Sequence, residues 1–286
     1  MSRAGLIGDA FKSACLAELA ALKPGNVHVF ADGHRLTRDQ FVRSAHAASA
    51  PLSAPGARVG RRIVDAVAAT HGAVGTNTNL GIILLCAPLA AAAETGHAEL
   101  RAALIAVLDD LDTADADLAF RAIVRAAPAG LGQVEENDVA QPARVTLRAA
   151  MADAAERDRV ARQYATAYAD IFDLGLPRLA AAAARSWAEQ WTVSAIYLGF
   201  LADFPDSHLV RKYGLAVAEK VQETAIELQA ELQSKWDPSR VTDELLAWDA
   251  ALKAQNLNPG TSADLTVATL FAHRLATILP SERNSG

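Results

Sequence analysis

The sequence predicts an all-α protein, and three observations carry that expectation. Apolar residues recur at three- and four-residue steps along most of the chain, no run alternates with period two, and alanine runs at 90–93 and 180–184 accompany an aromatic content of only 6%. Alanine is small and the strongest helix former, whereas sheets draw on aromatic and β-branched side chains. At 286 residues, 51% hydrophobic and 21% charged, the chain is long enough to bury a large core with no disulfide or metal. No internal repeat and no Gly/Ser/Pro linker divides it. The expected organisation is one domain of about ten helices over residues 1–280, with 281–286 a frayed tail.

Taken in order, the first helix runs from Ala4 to Leu22, with Leu6, Ala10, Ala14 and Ala17 on one side, and stops at Pro24-Gly25. Lys23 to Leu36 is a loop. Thr37 followed by Gln40 is a capping box that starts a second helix, expected to end before Pro51. A third helix begins after Pro55-Gly56, presents Val59, Ile63, Val67 and Thr70, and is expected to end at His71-Gly72. Leu80 to Ala93 is an apolar core helix. Further helices are expected near Ala98–Leu108, Asp115–Ala127, Val145 and Asp158, and from Pro177 through Trp187 and Trp191, both expected in the core, to Asp203. Pro128 to Arg144 is a long polar loop carrying Glu135, Glu136 and Asp138, and a loop of that length is more often functional than not. Pro205 to Gly214 reads as a polar turn. Leu215–Ser234, a segment after Asp237-Pro238, and Ser262–Leu279 with Ser262 as N-cap complete the set.

The net charge of −6 and the dispersed Lys and Arg residues offer nucleic acid no counterion-releasing surface. The longest apolar stretch holds Gly81 and Pro88 and falls short of the roughly 20 residues that span a bilayer, and Met1–Ala10 lacks the order of a secretory signal. Cys15 and Cys86 sit among apolar neighbours without metal or redox spacing, as buried thiols in a reducing compartment do. A cytoplasmic protein is expected, and its alanine-rich helical surface suits a homodimer.

Four polar segments fall at helix boundaries: KPGNVH at Lys23–His28, GTNTNLG at Gly75–Gly81, DSHLVRKYG at Asp206–Gly214, and Asn258–Asp264, which overlaps GTSADL at Gly260–Leu265. Helix ends in a bundle converge on a common mouth when they build a ligand site. Each segment alone has an ordinary explanation as a helix stop, a cap or a favourable first-turn charge. In this order and spacing, over about residues 10–275, they resemble the triphosphoribosyl-dephospho-CoA synthase family. Three positions depart from the members that make the citrate lyase and malonate decarboxylase prosthetic-group precursor. His28 stands where those have Asp, Asn77-Thr78-Asn79-Leu80-Gly81 replaces Asn-Thr-His-Lys-Gly, and Arg211-Lys212-Tyr213-Gly214 replaces His-Arg-Gly-Gly. This variant pattern, with the Pro128–Val139 loop, is more similar to the branch found in archaea and methylotrophic bacteria.

The resemblance implies an ATP-using transferase. A ribose hydroxyl of dephospho-CoA attacks the anomeric carbon of the ATP ribose, adenine leaves, and the triphosphate stays on the product. Such chemistry asks for a proton acceptor, help for the leaving base, and stabilisation of a cationic carbon beside a highly charged tail, with Mg²⁺ as the expected companion of the phosphates. The catalytic candidates are His28, Asp206 and Asp264. Glu18, just over a turn before the Lys23 loop, joins Asp206 and Asp264 as a metal-ligand candidate. Lys23, Arg211 and Lys212 are expected on phosphate, and Asn26, Thr76, Asn77, Asn79, His208 and Ser262 on other nucleotide atoms. An alternative keeps the fold but changes the acceptor to one in methanopterin- or methanofuran-type one-carbon carrier synthesis. A third reading is a non-catalytic helical binding subunit.

Overall fold

The computed structural model describes residues 2–29, 37–126 and 139–278. The all-α expectation holds, with fourteen α-helices among these residues rather than about ten. The first six are α1 (Arg3–Ala20), α2 (Arg38–Leu52), α3 (Val59–Val74), α4 (Leu80–Glu94), α5 (Leu100–Asp109) and α6 (Thr113–Ala126). They are followed by α7 (Leu147–Ala154), α8 (Arg159–Ala165), α9 (Leu176–Ala184), α10 (Glu189–Asp203), α11 (Ser207–Tyr213), α12 (Leu215–Ser234), α13 (Thr242–Ala254) and α14 (Gly260–Ile278). A π-helical turn over Asp170–Gly175 leads into α9, and a 3₁₀ turn over Pro238–Val241 leads into α13.

Several boundaries differ from the sequence expectation for local reasons. The Thr37–Gln40 capping box forms, but α2 continues through Pro51 to Leu52. α3 passes His71-Gly72 and stops at Gly75, whose left-handed φ of 73° places its N–H on the His71 carbonyl. The expected helix from Pro177 to Asp203 is two helices, broken where Ser186 turns left-handed at φ 57°. Trp187 and Trp191 are accordingly half-buried at the edge of a core rather than inside it. Pro205–Gly214 holds the short helix α11 in place of a turn, and α14 begins at Gly260, so Ser262 lies in its first turn and is not the cap. Of the long polar loop only Val139–Arg144 is described; Glu135, Glu136, Asp138 and the 281–286 tail lie outside the described residues.

α4 is the axis of the larger core. Its buried residues lie on every side of the helix, as its unbroken apolar sequence requires, and α1, α2, α3, α5, α6, α8 and α14 all pack against it. Pro88 inside α4 removes the N–H that would bond the Leu84 carbonyl. Tyr164 supplies the missing donor, its hydroxyl 2.6 Å from the Leu84 oxygen, and the Tyr168 hydroxyl donates to the Leu85 oxygen at 2.9 Å. A smaller core joins α10, α12 and α13. α10 belongs to both, with Val193, Ile196 and Phe200 facing the larger core and Tyr197, Leu198 and Leu201 the smaller.

Candidate active site

The four polar segments meet around the start of α14. Asp206, fully buried, ties α11 to α14. One oxygen accepts the His208 and Leu209 backbone N–H groups at 2.9 and 3.2 Å, and the other accepts the Ser262 N–H and hydroxyl, both at 2.8 Å. Asp206 therefore caps two helices at once. Ser207 and Thr261 add a hydroxyl pair at 3.0 Å across the same joint. The Lys23 loop reaches the residues just before α14 through Asn26, whose amide donates to Asn258 Oδ1 at 2.8 Å. α4 enters through Gly81. A Cβ built there would fall 2.6 Å from Asp264 Cγ and nearer still to Oδ2, so the Asp264 carboxylate lies directly on the glycine.

Within this assembly the expected site residues separate into two groups. Glu18 and Lys23 form a buried ion pair at 2.7 Å, and Lys23 Nζ also donates to the Val27 carbonyl at 2.6 Å and to Asn26 Oδ1 at 3.3 Å. All three ammonium donors are used, which leaves Lys23 none for a phosphate and Glu18 a poor candidate for a metal. Burial pushes Glu18 up and Lys23 down, each opposed by the other's charge. His28 is also built into the scaffold: its Nε2 lies 3.2 Å from Asp249 Oδ1 and 3.3 Å from Lys253 Nζ, its side chain has no exposure, and burial pulls its pKa down against the Asp249 hydrogen bond. Asp206 has its carboxylate lone pairs committed to the two caps. Lys212 is exposed on α11, its ammonium 5.1 Å over the Tyr213 ring. Among the described residues no three His, Cys, Asp or Glu side chains converge to hold a metal ion, so the expected set of Glu18, Asp206 and Asp264 does not form one.

The second group lies at the starts of α4, α11 and α14. Asp264 has no hydrogen-bond or ion-pair partner among the described residues, and it keeps partial contact with solvent although protein atoms surround it deeply. Burial, followed by the like charges of Asp206, Glu18 and Asp158, holds its proton well above the usual carboxylate range, with Arg211 opposing. Arg211 itself bonds Asp158 at 3.0 Å and approaches His208 Nδ1 at 3.4 Å. His208 is half-buried, packs its ring against Gly260 one turn before Asp264, and is driven toward the neutral form by burial. At the start of α4, Asn77 Oδ1 accepts the Leu80 N–H at 3.1 Å, Thr76 is half-buried, and the Asn79 amide nitrogen is buried without a partner.

Asp249 and Lys253 have no counterpart in the sequence reading. Asp249 accepts from the Gly25 N–H at 2.8 Å, from His28 and from Lys253 at 2.9 Å; these bonds outweigh burial and keep it below the usual carboxylate range. The one available signal, a carboxylate and a lysine four apart on a helix, is the commonest surface pattern there is. A separate open groove of about 730 Å³ lies at the far end of α4, lined by Arg58, Glu94, His97, Ala103 and Asp110 among others. None of the expected site residues lines it.

Among the described residues these helix starts gather a carboxylate without a partner, an arginine, a histidine driven toward the neutral form and a buried amide without an acceptor, an arrangement chemically suited to a polar, anionic small molecule. Residues 4–282 match the model of the ATP:dephospho-CoA triphosphoribosyl transferases, and the chain belongs to that family. It is an ATP-using transferase of this type, acting on a small-molecule acceptor. A crystal structure from Archaeoglobus fulgidus, provisionally assigned as a triphosphoribosyl-dephospho-CoA synthase, shares the fold with a TM-score of 0.64 at 24% identity, covering 84% of this chain and 99% of that one. No curated protein matches the sequence. Among the described residues no helix is long and apolar enough to cross a membrane.

Proposed function

We propose that the mouth formed by the starts of α4, α11 and α14 is where the triphosphoribosyl group passes from ATP to a ribose hydroxyl of dephospho-CoA. The acceptor oxygen bonds to the anomeric carbon of the ATP ribose as its bond to adenine breaks; adenine leaves with a proton and the acceptor hydroxyl gives one up. The observation that carries this reading is Asp264, a carboxylate with no partner among the described residues, set against Gly81 of α4 on the helix that Asp206 ties to α11. His208, packed against Gly260 and driven toward the neutral form by burial, is the proton acceptor, and Arg211 faces the phosphates. Asp264 is the residue that would hold a Mg²⁺ brought with ATP, and the ion would supply neutralisation of phosphate charge. A cytoplasmic setting suits these substrates and the two buried free thiols, and a homodimer fits the alanine-rich surface.

A second reading keeps this chemistry but takes a one-carbon carrier precursor as acceptor. The changed identities at His28, Asn79 and Arg211–Tyr213 favour it, because they cluster in the segments that build the mouth. Incubating the protein with Mg·ATP and dephospho-CoA, and following adenine and the mass of the acceptor, tests both. Adenine release with a triphosphoribosyl adduct on dephospho-CoA supports the first reading. Adenine release that appears only with a different acceptor supports the second, and none with any acceptor sinks the catalytic proposal and leaves a binding subunit.

A further inference from the structure

The Lys23–His28 loop is held with more charge than holding a loop requires. Its polar side chains Lys23, Asn26 and His28 are all buried, and so are Glu18 and Asp249, which meet it from α1 and α13. Taking charges out of water is costly, and apolar side chains of similar volume often stabilise a fold as well or better. What charged hydrogen bonds add is fixed direction and distance. Asp249 supplies both at two points of the loop: its Oδ1 accepts the Gly25 N–H at 2.8 Å and lies 3.2 Å from His28 Nε2, while Oδ2 accepts from Lys253 on its own helix at 2.9 Å. α10 holds the same loop through Tyr197, which donates to the Pro24 carbonyl at 2.7 Å, and Ser194, which donates to the Leu22 carbonyl at 2.8 Å. The loop in turn bears on the stretch that leads into α14. A Cβ built on Gly25 would fall 2.7 Å from the Leu257 carbonyl oxygen and 2.8 Å from Pro259 Cδ, and the Asn26 amide donates to Asn258 Oδ1 at 2.8 Å. The Asn258 carbonyl accepts the Gly260 N–H at 2.8 Å; the His208 ring packs on that glycine, and Asp264 follows one turn later against Gly81.

We infer that Asp249 is a positioning residue for the transfer reaction: by fixing the Lys23–His28 loop against residues 257–260, it sets where the start of α14 stands relative to α11 and α4, and with it the spacing of His208 and Asp264. Asp249 acts only through the loop. The inference rests on the transferase reading of this mouth and adds to it a residue of α13, from outside the four matched segments. A link of this kind moves reacting groups rather than a binding surface, so its loss falls on kcat more than on KM. Asparagine at this position keeps an oxygen for the Gly25 N–H but brings no charge to His28 and Lys253, so Asp249→Asn retains part of the link and Asp249→Ala none of it.

The test is steady-state adenine release from Mg·ATP, with the acceptor that the wild type uses and well below every melting temperature, alongside urea unfolding of each protein. The variants are Asp249→Asn, Asp249→Ala, Asn258→Ala, the Asp249→Ala, Asn258→Ala double variant, and Leu232→Ala. Leu232 is fully buried in the smaller core on α12, so its truncation lowers stability without cutting the link. Asp249→Ala is expected to lose about tenfold to a hundredfold in kcat while KM for ATP stays within about threefold of the wild type. Asp249→Asn should lose less, and Leu232→Ala should keep the wild-type kcat. Because Asn258→Ala cuts the same link nearer to α14, the double variant should lose no more than the worse single one, whereas independent effects multiply. Wild-type kcat in a folded Asp249→Ala, losses that multiply in the double variant, or an equal fall in Leu232→Ala overturns the inference and leaves the transferase reading intact. If neither Asp249 variant folds, Asn258→Ala decides alone, and wild-type kcat there overturns the inference. No adenine release by the wild type with any acceptor overturns the transferase reading, and the inference falls with it.

Discussion

Replacing Gly81 by alanine is the most direct probe of the site. In a helix, alanine is favoured over glycine by about 0.5–1 kcal/mol, less near the first turn, so at an open position this change stabilises. Here the new Cβ falls 2.6 Å from Asp264 Cγ, against the roughly 3.5–4.0 Å of ordinary carbon contacts, so the carboxylate has to move by about 1 Å. Overpacking of that kind costs about 1–3 kcal/mol, and a misplacement of about 1 Å at a reacting centre costs about a hundredfold in rate. We therefore expect Gly81→Ala to destabilise the wild type by up to about 2 kcal/mol, but to stabilise an Asp264→Ala background by about 0.5–1 kcal/mol. Urea unfolding of the four proteins gives the cycle, and kcat for adenine release gives the functional arm. If Gly81→Ala shifts the unfolding midpoint equally in both backgrounds, Asp264 does not rest on Gly81 and the geometry of the mouth is wrong.

Asp206→Ala removes the caps of α11 and α14 together, and at about 0.5–2 kcal/mol per cap it should cost about 1–4 kcal/mol in thermal or urea unfolding; a loss confined to catalysis would argue against the double-cap role. Asp264 is held protonated above the ordinary carboxylate range, so the native state binds more protons there than the unfolded chain. Its contribution to stability is present below the unfolded pKa and is lost as pH rises toward the folded one. Stability of Asp264→Asn relative to wild type should accordingly increase with pH from about 4 upward, measured by urea titration across pH. The buried His28 has the opposite sign: its lowered pKa gives stability that is present above about 6.5 and declines as pH falls, and His28→Gln should flatten that acid limb.

The parts of the fold that the sequence made legible are those written in local chemistry. The Thr37–Gln40 capping box, the apolar run of α4 and the helix formers of α12 each act within a turn or two, and each appears where expected. The four boundary segments were recognisable as a set, and they do meet. What stayed hidden was how their charges are used. Lys23 looks like a phosphate ligand until Glu18, Asn26 and Val27 are seen to take its donors, and Asp206 looks like a free base until Ser262 arrives from 56 residues away. His28 is engaged from α13, more than 220 residues downstream, by a pair with no distinguishing sequence mark. A proline misled in the other direction: Pro51 reads as a break, but α2 passes through it.

The tyrosine that completes α4 also bears on how the chain folds. The Leu84 carbonyl waits for a hydroxyl 80 residues away, and the Leu85 carbonyl accepts from one 83 residues away. A chain ending after α6 would contain every residue of its central helix and still hold that helix incomplete, with the Leu84 carbonyl inside an apolar core and its proline-removed donor not replaced. The larger core is therefore not a unit that the first half of the chain can assemble alone and the second half decorate. Its cooperativity runs through the turn after α8, where Ala167 and Tyr168 adopt left-handed backbone at φ 49° and 60° to deliver the second hydroxyl. Cutting the protein between α6 and α7 should give fragments that regain ordered helices only when mixed.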